Sequence, residues 1–216
     1  GGRRFHCWKR GGHGTVSLGS ALAESCDVYF YDVAQKVGID KIAEMGRLLG
    51  LGEKPDLPMS AITAGVMPDK AWVRERYGQE WRIGDTINAS IGQGYVLTSP
   101  LQLAVMAARI ASGRAVAPRL IKMIGTEEVP LAEAPALPVQ AAHLDAVRRG
   151  MYEVMNGTHG TAKSSRIADE TMLMAGKTGT AQVRNISAAE RAAGVVSNDQ
   201  LPWERRDHAL FVCFAP

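Results

Sequence analysis

The 216 residues carry 25 Lys and Arg against 22 Asp and Glu, a net charge of +3, and 46% of the side chains are hydrophobic. That supports one domain, or a large piece of one, with a genuine core. It excludes a nucleic-acid groove, because Arg3-Arg4 is the closest thing to a basic run and is too short to form a patch.

No apolar run of about 18 residues is present. The chain opens on Gly1 and closes on "HALFVCFAP", which reads as a strand barely finished. It is therefore expected to be a fragment. The three cysteines, Cys7, Cys26 and Cys213, cannot all pair with one another. They leave a metal site, one disulfide with a spare thiol, or buried thiols.

In chain order, the stretch through Gly14 is glycine-rich loop. Residues 18–37 carry helical spacing with a break near Ser25. Asp27 is expected to cap "VYFYDVAQKV", with Gly38 at its end. Asp40 starts a further helix that runs to Leu49 and stops at Gly50. Residues 53–85, with prolines, tryptophans and mixed charges, read as a long irregular excursion. "TSPLQLAVMAARIASG" (98–113) is the cleanest helix, capped by Thr98 or Ser99, with Pro100 in its first position and Gly113 at its end.

Residues 125–140 read as a surface loop or short hairpin. Leu144, Val147, Met151 and Val154 space a helix to Asn156. "MLMAGKTGTAQV" and "HALFVCFAP" then predict strands, separated by a polar, charged insertion over 184–207. Helices first and strands last suggest an α+β layered domain.

Chemistry concentrates in three places. Lys177-Thr178-Gly179 puts an ammonium and a hydroxyl on one wall of a groove, and the glycine allows a substrate backbone to approach. Alone, the triplet is common by chance and reads first as an exposed strand with a turn. A P-loop is excluded, because Thr171 stands where that motif needs its first glycine. Ser25 and Asp27 alone read as a helix start. A serine with a polar partner two residues on, followed far downstream by K-T-G, matches the second and third parts of the serine acyltransferase signature. The first part, S-x-x-K, is absent: no serine here has a lysine three positions on.

Finally, Cys7, His13 and Cys26 form C-x5-H-x12-C, three donors of the kind zinc prefers. A Cys7–Cys26 disulfide and inert thiols are the alternatives. Gly92, Gln93 and Gly94 read as shapers of a turn, His159 as a surface histidine, and Trp8, Trp72, Trp81 and Trp203 as packing or loop residues.

The blocks "RRFHCWKRGGHG", "ALAESCDVYFYDVAQKVGID", "GDTINASIGQGYVLTSPLQLA", "GTA" at 160–162 and "AGKTGTAQV" occur in order over nearly the whole chain. Together they resemble the transpeptidase domain of class B penicillin-binding proteins, of the penicillin-binding protein 2 type. The resemblance implies the penicillin-binding-protein/β-lactamase-like fold, an antiparallel sheet flanked by helices. Residues 1–216 would be a partial domain lacking the upstream S-x-x-K segment and the final strand and helix.

It also implies a peptidoglycan D,D-transpeptidase, inhibited by β-lactams, in which an upstream serine attacks a D-Ala-D-Ala stem peptide and passes the acyl group to an amine. Ser25 would relay the proton. Asp27, where many relatives have asparagine, would hold the upstream lysine and the substrate amide, its charge favouring that lysine's protonated form. Lys177 and Thr178 would take the substrate carboxylate, Gly179 would admit the backbone, and the N–H of Thr180 would form half of the oxyanion hole.

The resemblance implies zinc on Cys7, His13 and Cys26, completed by an upstream acidic residue, and no organic cofactor. A membrane anchor outside the fragment, a periplasmic location and a polytopic glycan polymerase as partner are further implications. The rivals are a class D type β-lactamase, which "SIGQGY" and the 53–85 excursion disfavour, and a non-catalytic sensor or scaffold, which the missing S-x-x-K favours.

Overall fold

The computed structural model describes residues 4–184, 186, 190 and 193–215. Its helices are α1 (Leu18–Ala23), α2 (Asp27–Val37), α3 (Ile39–Leu48), α4 (Lys70–Tyr77), α5 (Ile83–Ala89), α6 (Pro100–Ser112) and α7 (Ala141–Asn156). The strands are β1 (Met123–Ile124), β2 (Glu127–Glu128), β3 (Ala175–Ala181) and β4 (His208–Phe214). Among the described residues no helix is long and apolar enough to cross a membrane.

Local chemistry explains most boundaries. Ser17 and Ser20 form a capping box that starts α1. In α6, Ser99 accepts from the N–H of Gln102, Pro100 fills the first turn, and Gly113 closes it in the left-handed region, as its sequence predicts. Two expectations are corrected. Asp27 is not the cap of α2 but its first residue; Cys26 occupies the cap position without a side-chain bond. Asp27 is drawn away because its carboxylate accepts the backbone N–H of Trp8 at 3.0 Å.

The 53–85 excursion is irregular only to Asp69. There the carboxylate accepts from Trp72 N–H at 2.8 Å and starts α4, which ends on Gly78 in the left-handed region. Helix α4 buries only Val73, so its apolar spacing carries almost no signal; a polar cap and aromatic neighbours make it. Helix α5 follows, with Asp85 accepting from the N–H of Arg82.

The short hairpin is present as β1–β2, joined through Gly125 and Thr126 and exposed on both strands. Within 184–207, residues 185, 187–189 and 191–192 lie outside the described set. The described part holds two single 3-10 turns, Asn198–Gln200 and Trp203–Arg205.

Strands β3 and β4 pair antiparallel, with Lys177 opposite Val212 and Thr178 opposite Phe211. Helix α7 lies against β3 and α1, and α6 lies against β4. Ile110, Met151 and Ala175 form one buried cluster with Leu49, Met106, Val147 and Phe214 packed on it. A Leu, Ile, Val, Met or Phe side chain in such a cluster stabilises by about 1.5–3 kcal/mol on full burial. Gly176 is required here, because a Cβ would lie 2.6 Å from Phe211 Cζ and 2.7 Å from the Val212 carbonyl.

Gln102, fully buried, donates to the carbonyls of Glu53 and Ala64 at 2.9 and 2.7 Å and accepts from Ser99 N–H at 2.9 Å. A buried amide is tolerable only when satisfied in this way, and it clips the irregular segment onto α6.

Candidate active site

The site forms where the α1–α2 turn meets β3. Ser25 sits in that turn at φ 55°, the one non-glycine residue with positive φ among those described. The conformation costs about 1–2 kcal/mol and must be held. The Cys26 N–H donates to Ala21 O at 2.9 Å, closing the turn beneath it. From outside, the indole N–H of Trp8 donates to the carbonyls of Ser25 at 2.9 Å and Glu24 at 3.2 Å. Carbonyls left open at the end of a short helix are thereby satisfied.

Lys177 reaches this turn from β3, 152 residues away in sequence, and its Nζ donates to Ser25 Oγ at 2.7 Å. It also donates to the Thr178 carbonyl at 3.0 Å. Burial lowers the pKa of Lys177, and the charge of Asp27 partly offsets that. Beside it, Thr178 Oγ1 lies 2.9 Å from Thr161 Oγ1. Gly179 and Thr180 are exposed, leaving this end of the strand open. A Cβ on Gly179 would meet nothing nearer than Leu210 Cβ at 3.7 Å, so packing does not demand this glycine. Gln93 Nε2 donates to the Thr180 carbonyl at 2.7 Å, docking the Gly92–Gly94 turn on β3.

Lys177 thus meets Ser25 directly and feels Asp27 through its charge, while Thr178, Gly179 and Thr180 follow it along β3. Three contributors were not assigned to the site from sequence. From the sequence, Gln93 reads only as a turn shaper, Trp8 only as a packing or loop residue, and Thr161 has no role beyond its place in "GTA". The "GTA" and "SIGQGY" blocks were the available signals. His159, beside Thr161, is exposed. Trp72 and Trp81 pack with Tyr77 and Tyr95, while Trp203 is 79% exposed.

Cys26 belongs to the same turn, and the donor atoms of Cys7, His13 and Cys26 lie within 4.8 Å of one another. All three cysteines are unpaired. Cys7 Sγ is 3.4 Å from His13 Nδ1, against about 3.5 Å between sulfur and nitrogen ligands of a tetrahedral zinc. His13 Nδ1 is therefore the nitrogen placed for an ion, while Nε2, on the far side of the ring, is buried with no hydrogen-bond partner among the described residues. The donor set and its spacing fit zinc. Burial pushes the Cys26 thiol up, and Cys7 adds to this, against backbone hydrogen bonds from Tyr29 and Val28 that pull it down. Burial, then the charges of Asp27 and Cys7, push the nearby Tyr31 phenol up to about 12.

The family model described as the penicillin binding protein transpeptidase domain matches residues 1–216. A peptidoglycan D,D-transpeptidase MrdA from Haemophilus influenzae is 36% identical, covering 99% of this chain and 33% of the relative. The chain spans about a third of the length of the curated relatives it matches. The structure of Pseudomonas aeruginosa PBP2 in complex with WCK 5153 superposes with a TM-score of 0.81 at 37% identity, covering 99% of this chain and 44% of that one. PBP2 from Helicobacter pylori, in its complex with MreC, gives 0.81 at 34% identity, covering 99% and 36%. The expected α+β fold therefore holds, and the chain belongs to the penicillin-binding protein transpeptidase domain family.

Proposed function

We propose that these 216 residues are the C-terminal part of the transpeptidase domain of a serine peptidoglycan D,D-transpeptidase that cross-links stem peptides during cell elongation and is inhibited by β-lactams. One observation carries the reading: Lys177 Nζ donates to Ser25 Oγ at 2.7 Å, joining the second and third parts of an acyl-transfer signature across most of the chain. The nucleophile and its lysine are supplied by an S-x-x-K outside these residues, since no serine within them has a lysine three positions on.

In this mechanism the upstream serine oxygen attacks the carbonyl carbon of the penultimate D-alanine. The C–N bond to the last D-alanine breaks, an ester forms, and the serine's proton reaches the departing amine through Ser25. Because Lys177 fills a lone pair of Ser25 Oγ, the Ser25 proton is free to pass to that amine. An acceptor amine then attacks the ester, and the serine leaves with a proton.

Lys177 and Thr178 bind the terminal carboxylate of the donor peptide. Gly179 leaves room for its backbone. The N–H of Thr180 supplies half of the oxyanion hole, worth about 2.7–4 kcal/mol of transition-state stabilisation. Asp27 contributes charge that favours protonated Lys177 and hydrogen-bonds the upstream lysine and the substrate amide.

Cys7, His13 and Cys26 would hold zinc, with a fourth donor from outside the 216 residues. The ion would act as a structural cross-link between the loop bearing Trp8 and the turn bearing Ser25. The whole protein is read as membrane-anchored with this domain in the periplasm, and as working with a polytopic glycan polymerase. The Helicobacter pylori relative, solved together with MreC, supports an assembly partner.

Fluorescent penicillin tests the reading. The 216-residue chain is expected to remain unlabelled, and a chain extended upstream to its S-x-x-K is expected to be labelled at that serine. Labelling of the short form would move the nucleophile into these residues. An extended chain that folds and stays unlabelled would favour the sensor or scaffold role instead.

A further inference from the structure

We propose that Thr161 is a positioning residue for ligand-carboxylate recognition, donating its hydroxyl proton to Thr178 Oγ1 so that the proton of Thr178 is held for the carboxylate. The inference rests on the functional reading above and deepens it.

The two hydroxyl oxygens are 2.9 Å apart, so one of them donates to the other. A hydroxyl has one proton and two lone pairs, whereas a carboxylate only accepts. Were Thr178 to donate to Thr161, it would turn bare lone pairs toward the carboxylate and repel it. With Thr161 as donor, the acceptor side of Thr178 is filled from behind and its proton faces the groove. The neighbouring pair follows the same logic, since Lys177 fills Ser25 Oγ at 2.7 Å and leaves the Ser25 proton free. With Thr161 as donor, Thr178 matches Ser25 in having its acceptor side filled by a neighbouring donor. Hydrogen bonds in series also polarise one another, making Thr178 the stronger donor.

The backbone holds Thr161 at this position from both sides. Its N–H donates to Ala23 O at 3.1 Å, two residues before Ser25, and the next N–H, of Ala162, donates to Val154 O at 3.0 Å. Gly160 admits the close approach to α7, because a Cβ there would fall 2.2 Å from Val154 O and 2.3 Å from Glu153 O. Ala162 is buried in the cluster with Val154 and Met155. The segment therefore ties the end of α1, the end of α7 and β3 together at one hydroxyl. Packing alone would be served as well by valine.

The test uses the chain extended to its S-x-x-K, benzylpenicillin, and benzylpenicillin methyl ester, which lacks the carboxylate. Thr161→Val is expected to slow second-order acylation by the free acid about tenfold, the order of one lost hydrogen bond to a charged group. Acylation by the ester should stay within about twofold by the same reasoning, so the acid-to-ester preference falls by about five- to tenfold while Lys177 keeps the rest. Thr161→Ser should restore it. In a Thr178→Val background, Thr161→Val should add no further loss, because its effect passes through Thr178. Unchanged acid kinetics in Thr161→Val, equal slowing of acid and ester, or full additivity with Thr178→Val would overturn the inference. Failure of the unsubstituted extended chain to acylate at all would overturn the functional reading, and this inference with it.

Discussion

Trp8 grips the Ser25–Asp27 turn at both ends: its backbone N–H donates to Asp27 Oδ2 at 3.0 Å, and its indole N–H donates to the carbonyl of Ser25 at 2.9 Å. One residue thus fixes a carboxylate and a serine at positive φ that the proposed reaction would use. Trp8→Phe removes the indole donor and keeps the backbone one. The expected cost is about 1 kcal/mol of stability, read by urea denaturation. In the extended chain, slower acylation with unchanged penicillin affinity is expected. A Phe variant that acylates at the original rate would leave the indole no part in aiming the turn.

Lys177 gives a pH-dependent signature. Its folded-state pKa is lowered by burial, so between that lowered value and the unfolded value of about 10.4 the unfolded chain binds more protons. Stability should therefore rise with pH across that window, and the penalty of the buried charge is present in full below it. Lys177→Met should flatten this slope and leave neutral-pH stability equal or higher. Acylation in the extended chain should nevertheless fall by at least about a hundredfold, the scale of losing one major electrostatic donor. Unfolding midpoints taken from pH 7 to 11 in both proteins provide the check.

Two glycines three residues apart should behave oppositely. Gly176→Ala drives a Cβ into the backbone of Val212 and the ring of Phe211, which should destabilise the fold by about 1–3 kcal/mol. Gly179→Ala meets no atom nearer than 3.7 Å and should leave stability unchanged or raise it by up to about 1 kcal/mol. It should still slow acylation, because the added methyl occupies the ligand's side of the strand. Equal destabilisation by both variants would remove the case for Gly179 as part of the groove.

Zinc can be tested without activity. Native mass spectrometry of the extended chain is expected to show one zinc per chain, lost in Cys26→Ser. Chelation should lower the melting temperature and expose the loop around residues 7–13 to proteolysis, because the cross-link to the Ser25 turn is gone. A mass 2 Da (one disulfide) below that of the reduced, metal-free chain would assign Cys7 and Cys26 to each other instead.

The helix over Pro100–Ser112 was legible because every local signal agrees: Ser99 caps, Pro100 starts, Gly113 stops, and the apolar spacing buries Val105 and Ile110. Helix α4 was not, since "KAWVRERY" buries only Val73 and exists through the Asp69 cap and the Trp72–Tyr77–Tyr95 ring contacts. Asp27 was misplaced by one position because the N–H that claims its carboxylate belongs to Trp8, 19 residues earlier. No local rule reaches that far.

The sequence by itself determined the chemistry available to this protein: a Ser25-Cys26-Asp27 trio, a distant Lys177-Thr178-Gly179, and a Cys7, His13, Cys26 spacing. Residue type and order within a short motif survive any fold. Only the tertiary structure decided that Lys177 meets Ser25, that Thr161 stands behind Thr178, and that Gln93 docks on Thr180. These contacts join segments 17 to 152 residues apart, and they exist because burying α7 against α1 and β3 brings those segments to one edge. Chain entropy opposes each such meeting, and the shared apolar core outweighs it.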